Sequence, residues 1–88
     1  MKSRATERFW KLYSHLPPEV RELARKSYNL WQQNRNHPWL HFKKLARGND
    51  RFSARIGNHY RAIGHKTGDA VERVWIGTHA DYDKLLGR

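Results

Sequence analysis

The sequence predicts an α+β domain in which a two-helix hairpin packs on a three- to four-stranded antiparallel sheet, followed by a short C-terminal helix. Two patterns lead to this prediction. Apolar residues recur at helical spacing in the first half of the chain, which Pro17-Pro18 divides. Apolar and polar residues alternate in the second half, where glycine-containing turns separate the alternating segments.

The first half contains two helices joined at a proline corner. Thr6 is a suitable N-cap, and Phe9 and Tyr13 begin an apolar helix face. The helix ends at Pro17-Pro18, because a residue that precedes proline is pushed out of the helical region. Pro18 can begin the second helix, since the N–H that proline lacks has no partner in a first turn. We expect this helix to end within residues 34–38.

The second half contains an antiparallel meander. Residues 52–56 alternate between apolar and polar, and Gly57-Asn58 suits a tight hairpin because glycine readily adopts positive φ. Residues 60–66 return as the second strand. The third strand, residues 71–78, follows a turn at Thr67-Gly68-Asp69.

Three further segments complete the predicted fold. The run Val74-Trp75-Ile76 indicates burial on both faces of the third strand. The segment HADYDKLL, residues 79–86, predicts the short terminal helix, and residues 1–5 are a candidate for a short edge strand.

The length of 88 residues predicts one domain, residues 1–88. A chain this short favours a shallow surface site over an enclosed cavity for a large ligand. The absence of Cys excludes disulfide and thiolate chemistry and fits a reducing cytoplasm. No apolar run approaches the ~20 residues of a membrane span, and the N-terminus lacks the apolar stretch of a secretory signal. We therefore expect a cytoplasmic protein without a membrane partner.

The charge of the chain is strongly positive, at +10. Between Arg35 and Lys66 the sequence has eight basic residues and a single acid, Asp50. Such a surface attracts polyanions, which favours nucleic acid as a partner. The alternatives are a solvated basic face that maintains solubility, and an acidic protein partner.

Three basic residues are candidates for catalysis: Arg55, Arg61 and His79. In an antiparallel meander the end of the third strand lies beside the beginning of the second, so we expect Arg61 and His79 to be neighbours. Arginine offers several donors to phosphate oxygens, and histidine can exchange a proton near neutral pH. The alternatives are a surface arginine near a turn and an exposed or helix-capping histidine.

These residue types suit RNA cleavage without a metal ion. The reaction deprotonates the ribose 2′-hydroxyl, stabilises charge on the phosphorus and protonates the leaving 5′-oxygen. No metal or other cofactor is expected, because Pro38 keeps His37 and His41 off a shared helix face. Tyr60 and Tyr82 are candidates for stacking on splayed bases, and the alternative is that both are packing residues.

Three segments resemble the RelE/ParE toxin superfamily: LHFKKL at residues 40–45, FSARIGNHYRAIG at residues 52–64, and VWIGTHADYDKLL at residues 74–86. The resemblance covers nearly the whole chain, including the helical hairpin. It implies the RelE/ParE-like fold for the predicted elements.

The resemblance also implies roles for single residues. Arg55 and Arg61 match basic positions of the family, and His79 matches its basic or histidine position after the last strand. Ser53 stands where the family has a second basic residue in the first strand of the meander. Tyr82 is the match for a C-terminal aromatic residue, at a shorter spacing from His79 than in the RelE type.

The function that the resemblance implies is that of a toxin paired with an antitoxin encoded nearby. Members with RNase activity cut messenger RNA, commonly on the ribosome, and the ParE branch poisons DNA gyrase. Because Arg55, Arg61 and His79 are all present, the resemblance favours a metal-independent mRNA endoribonuclease. The alternative is a non-nucleolytic gyrase inhibitor or a nucleic-acid-binding protein. The predicted RNA-binding residues are Lys43, Lys44, Arg47, Arg51, Tyr60 and Tyr82.

The four tryptophans of the chain suggest a partner surface. An acidic or amphipathic antitoxin segment could cover the basic residues or dock on the hairpin through Trp10, Tyr13 and Trp31. Exposed rings that lie together would mark such an interface. The alternative is that all four tryptophans are core residues.

Overall fold

One mixed sheet of five strands forms the centre of the protein, and two helices cover one of its faces. The computed structural model describes residues 2–46 and 50–87. In chain order the elements are β1 (Lys2–Ala5), α1 (Glu7–Ser14), α2 (Pro18–Gln33), a 3-10 turn (Pro38–Leu40), β2 (Lys43–Lys44), β3 (Arg51–Ile56), β4 (Tyr60–Thr67), β5 (Ala70–Thr78) and α3 (His79–Leu85). The spatial order of the strands is β1-β5-β4-β3-β2.

The structure confirms both predicted helices of the hairpin and the short terminal helix. The Thr6 hydroxyl accepts a hydrogen bond from the N–H of Phe9 at 3.1 Å and so caps α1. Pro17 caps α2 with its carbonyl, which accepts from the N–H groups of Val20 and Arg21 at 3.0 Å each. α1 packs on β5 and α2 packs on β3. Within the two described ranges, no helix is both long and apolar enough to cross a bilayer.

The sheet confirms the predicted meander and corrects the predicted strand arrangement. β3, β4 and β5 are consecutive antiparallel neighbours, as expected. The predicted edge strand exists, but β1 runs parallel to β5, with Lys2 opposite Ala70. The pair Lys43–Lys44 adds a fifth strand against β3. Each edge strand is too short to show an alternating pattern. Its pairing depends on backbone hydrogen bonds to residues far away in the sequence, so the sequence did not reveal it.

The β3–β4 hairpin turns at Gly57-Asn58, as predicted, and His59 belongs to the same loop. Ile56 pairs with Tyr60, so the loop contains three residues, Gly57 to His59. Gly57 adopts φ +60°, as expected for the glycine of this turn. The third loop residue changes which side chains of β3 and β4 stand opposite each other.

Each face of the sheet has its own apolar cluster. On the helix-covered face the buried residues are Phe9, Ala24, Ile56 and Ile76. On the opposite face they are Leu45, Ile63, Trp75 and Tyr82. Trp75 and Ile76 are therefore buried on opposite faces, which confirms the predicted two-sided burial of β5. We call the face without α1 and α2 the open face, and α3 covers part of it through Tyr82.

Gly77 leaves room for the indole ring of Trp75 on the open face. A Cβ at Gly77 would lie 2.6 Å from Cζ2 of Trp75, closer than atoms can pack. Gly77→Ala should therefore displace the ring and lower the free energy of unfolding by about 1–3 kcal/mol, measured by urea denaturation. In a Trp75→Phe background the smaller ring should reduce this cost. Equal costs in the two backgrounds would show that the ring contact is not the cause.

Candidate nucleic-acid interface

Arg55 and Arg61 stand directly opposite each other on β3 and β4. Residues paired in this way project from the same face of the sheet, with Cβ atoms about 4.5–5.5 Å apart. Their neighbours Ile56 and Tyr60 pack on the helix side, so the two arginines project from the open face. Like charges directly opposite each other destabilise a sheet. Neither arginine forms a salt bridge to an acid in the described part of the chain. The pair therefore presents concentrated positive charge to an anion.

The guanidinium of Arg55 is fixed by the hairpin loop. Its Nε donates to the carbonyl of Gly57 at 2.9 Å, and its Nη2 donates to Oδ1 of Asn58. Its Nη1 lies 3.3 Å from Nε2 of His41. A guanidinium has no acceptor, so the imidazole nitrogen accepts in this contact. These bonds orient Arg55 but occupy donors on each of its three nitrogens.

His41 also belongs to this site, although no sequence pattern assigns it there. It follows the Pro38–Leu40 turn in a left-handed conformation, φ +43°, which is uncommon for a residue other than glycine. Its side chain meets Arg55 across 14 positions of sequence. No local pattern signals a contact over that distance. As for metals, no three His, Asp or Glu side chains of the described residues lie close enough to hold an ion.

Arg61 is less constrained than Arg55. Within the described residues, its side chain donates one hydrogen bond, from Nη1 to the carbonyl of Tyr60 at 2.8 Å. On its other side Arg61 is paired with Gly77, above which the Trp75 ring lies. Arg61 thus stands between a second guanidinium and an aromatic ring, with donors available for a phosphate.

His79 lies at the same end of the sheet as Arg61. It is the first residue of α3, and its backbone N–H donates to the carbonyl of His59 at 2.7 Å. Since Arg61 pairs with Gly77, Arg61 and His79 are separated by two register positions, roughly 7 Å along the strands. The His79 side chain is half-exposed, and its Nε2 lies 3.5 Å from Oδ1 of Asp83. This contact orients the imidazole ring and leaves Nδ1 without a contact to Asp83.

The predicted RNA-binding residues of the basic stretch divide between the two faces. Lys43 pairs with Ser53, which is on the same side of β3 as Arg55, so Lys43 and Arg51 belong to the open face. Lys44 pairs with Phe52 and is therefore on the helix side. Arg47 lies outside the described residues. The open face thus gathers Lys43, Arg51, Arg55 and Arg61, which we call the basic face.

The two tyrosines are packing residues in this structure. Tyr82 is 2% exposed, with its ring centroid 6.4 Å from that of Trp75, so it presents no ring surface to a base. The prediction that Tyr82 stacks on RNA is therefore wrong for this conformation. Tyr60 is half-buried against the apolar cluster of the helix side, away from the basic face. The short spacing between His79 and Tyr82 places the tyrosine on the inner side of α3.

Comparison with known proteins places this arrangement in a family. The sequence profile of the ParE-like toxin domain matches residues 18–84. No curated protein sequence is similar enough to count as a match.

Solved structures of toxins share the fold. The RelB-RelE antitoxin-toxin complex from Methanococcus jannaschii is similar over 93% of this chain and 96% of that chain, with 18% identity and a TM-score of 0.75. The YoeB/ParE toxin from Agrobacterium tumefaciens matches over 90% and 99%, with 17% identity and a TM-score of 0.69. The intact E. coli RelBE toxin-antitoxin complex matches over 86% and 93%, with 19% identity and a TM-score of 0.68. The chain therefore belongs to the ParE-like toxin domain family, within the RelE/ParE superfamily of toxins from toxin–antitoxin systems.

Proposed function

We propose that this toxin is a metal-independent endoribonuclease that cleaves messenger RNA, free or on the ribosome, and so blocks translation. The observation that supports the proposal most is the direct pairing of Arg55 with Arg61 on the open face, with histidines on both sides of the pair. The pairing opposes folding stability, whereas a bound phosphate would neutralise both charges.

The order of side chains across the sheet suits an in-line displacement at phosphorus. In the proposed reaction the ribose 2′-oxygen attacks the phosphorus, the bond to the 5′-oxygen breaks, and a 2′,3′-cyclic phosphate and a 5′-hydroxyl form. Arg61 stabilises the charge that develops on the non-bridging oxygens, and Arg55 holds the RNA backbone. One group must remove the 2′-proton while another donates a proton to the 5′-oxygen.

His79 and His41 are the groups proposed for these two proton transfers. His41 contacts Arg55 on one flank of the arginine pair, and His79 follows the strand on the other flank. Both side chains are exposed enough to reach a bound RNA. An acid and a base on opposite sides of the phosphorus are what an in-line mechanism needs.

Induced expression in bacterial cells tests the proposed function. An mRNA endoribonuclease should arrest growth with rapid loss of messenger RNA and unchanged plasmid supercoiling. Cleavage of purified RNA, with and without ribosomes, then shows whether the ribosome is required. Intact messenger RNA with altered supercoiling would move the protein to the gyrase-inhibiting alternative.

Lys43 and Lys44 form a matched pair for testing RNA contact by the basic face. Lys43→Met should weaken binding of single-stranded RNA, because it removes a cation on the same face as Arg55. The slope of log K against log salt should decrease in magnitude by about 0.7. Lys44→Met removes the same charge from the helix side and should change the slope less. Equal changes would mean that RNA does not distinguish the two faces.

The partner that we propose is an antitoxin encoded beside the toxin gene. Several of the similar structures are toxin-antitoxin complexes. Trp10, at 48% exposure, lies edge-on to Tyr13 with ring centroids 5.5 Å apart, and Trp39 is 78% exposed. The alternative that all four tryptophans are core residues is therefore wrong, and α1 offers exposed rings to a partner.

A melting experiment tests the antitoxin. The product of the adjacent gene should raise the melting temperature of the toxin at micromolar concentration, because a ligand that binds only the folded state stabilises it. A similarly sized acidic protein from another operon is the control. An unchanged melting temperature would argue against a dedicated antitoxin.

A further inference from the structure

A cavity of about 300 Å³ lies between the helix layer and the sheet. This volume is at the lower end of ligand sites in proteins, which span roughly 300–1,000 Å³. Aromatic rings dominate its wall: Phe9, Trp10, Tyr28, Trp31, Phe42 and Phe52. Several of these rings contact one another, with Tyr28 stacked on Trp31 at 6.2 Å between centroids. The space fits one ring or a short alkyl chain.

Arg73 on β5 adds a positive charge to this apolar wall. Its guanidinium carbon lies 4.0 Å from the ring centroid of Tyr28, 5.2 Å from that of Phe9 and 5.3 Å from that of Trp10. Burial lowers the pKa of Arg73, and Tyr28 opposes this shift. The guanidinium forms no salt bridge to any acid of residues 2–46 and 50–87. Charges that are partly removed from water are normally paired, so this half-buried guanidinium is an exception.

Two further polar groups beside the cavity are also unpaired. Nε of Arg73, Nε1 of Trp31 and Oγ of Ser3 are all buried, and none has a hydrogen-bond partner among the described protein atoms. All three residues line the cavity. Buried polar atoms are satisfied in the great majority of cases. Three unpaired donors on residues that line one apolar cavity indicate a ligand with an acceptor.

We propose that this cavity is a binding site for a small apolar carboxylate, an aryl or medium-chain alkyl carboxylic acid. The hydrocarbon part would lie among the aromatic rings, and the carboxylate would accept hydrogen bonds from Arg73 and Trp31. A cationic ligand would be repelled by Arg73, and a neutral one would leave its charge unpaired. A partner helix, about 10–12 Å wide with its side chains, is too wide to enter. The cavity is on the helix side of the sheet, so this site is separate from the basic face.

The test compares 4-phenylbutyrate with 4-phenylbutan-1-ol, which has the same hydrocarbon skeleton and no charge. Each is titrated into the ¹⁵N-labelled full chain while the four indole N–H signals are followed, with Trp31 assigned by Trp31→Phe. The carboxylate should shift the signals of Trp10 and Trp31 and leave those of Trp39 and Trp75 in place. It should bind roughly tenfold or more tightly than the alcohol, because hydrogen bonds between charged groups are the stronger ones.

Two variants with the same change in net charge complete the experiment. Arg73→Met retains the apolar wall and should abolish the preference for the carboxylate. Arg51→Met removes an arginine of the basic face and should retain the preference. The proposal is overturned if neither probe shifts the Trp31 signal, if wild-type protein binds the two probes equally, or if Arg73→Met retains the preference. If Arg73→Met fails to fold, the relative affinity of wild-type protein for the carboxylate and the alcohol still tests the proposal.

Discussion

Replacing His79 with Ala should lower the rate of RNA cleavage by a factor on the order of 10²–10⁴, the usual contribution of a positioned proton-transfer group. The expectation follows from the place of His79 at the end of β5, beside the strand that carries Arg61, with Asp83 orienting its ring. Single-turnover cleavage of a defined RNA measures the effect. Binding of the RNA should change little, because a neutral histidine adds little to phosphate affinity.

The control for this variant is His15→Ala. His15 ends α1 in the helix layer, where its Nδ1 lies 2.7 Å from the carbonyl oxygen of Lys11. Its replacement should leave the cleavage rate unchanged. Full toxicity of His79→Ala in cells would remove His79 from the mechanism and favour a binding or gyrase-inhibiting toxin.

Replacing Arg61 with Met should lower the rate of RNA cleavage by a factor on the order of 10²–10³. Loss of one preorganised hydrogen-bond donor has an effect of this size in enzymes that stabilise a negatively charged transition state. Arg61 has donors free for a phosphate, whereas the guanidinium nitrogens of Arg55 are engaged by Gly57, Asn58 and His41. The loss should appear mainly in the single-turnover rate at saturating RNA. Arg61→Lys should recover part of the rate, because lysine retains the charge without the planar fork.

The matched control for Arg61 is Arg8→Met, which removes an exposed arginine from α1 in the helix layer. It lowers the net charge equally, so it reports the general electrostatic contribution to RNA binding. If Arg8→Met and Arg61→Met reduce the rate by the same factor, Arg61 acts only through net charge.

The substitution Arg55→Met is less informative than Arg61→Met, for a structural reason. Arg55 joins the hairpin loop to the segment that contains His41, so its loss should disturb the loop as well as the phosphate site. A reduced rate in that variant would combine two causes. Thermal melting separates them, since loss of the loop contacts lowers stability whereas loss of a phosphate contact does not.

Much of the fold follows from local patterns in the sequence. The cap at Thr6, the corner at Pro17-Pro18 and the alternation of residues 52–56 each depend on residues a few positions apart. The structure confirms all of them. Residue chemistry and the predicted meander selected Arg55, Arg61 and His79 as the candidate set, and the family resemblance matched all three. Pairing across strands determines how they are arranged.

The hairpin loop shows why the arrangement of the site could not be predicted in full. A two-residue loop at Gly57-Asn58 would have paired Arg55 with Tyr60. The three-residue loop pairs it with Arg61 instead. Because side chains alternate between the faces of a strand, a shift of one residue reverses the face on which each residue of β4 lies. Turn propensity at glycine does not distinguish the two lengths.

The sequence alone therefore determined the α+β class, the helix boundaries at the prolines, the meander and the concentration of positive charge, because each is a property of neighbouring residues. The tertiary structure decided the parallel pairing of β1 with β5, the burial of Tyr82, the contact of His41 with Arg55 and the ring contacts of Arg73. Each of these joins residues that are far apart along the chain or depends on which face of the sheet is covered. Their free energy comes from long-range packing and backbone pairing, which leave no periodic signal in the sequence.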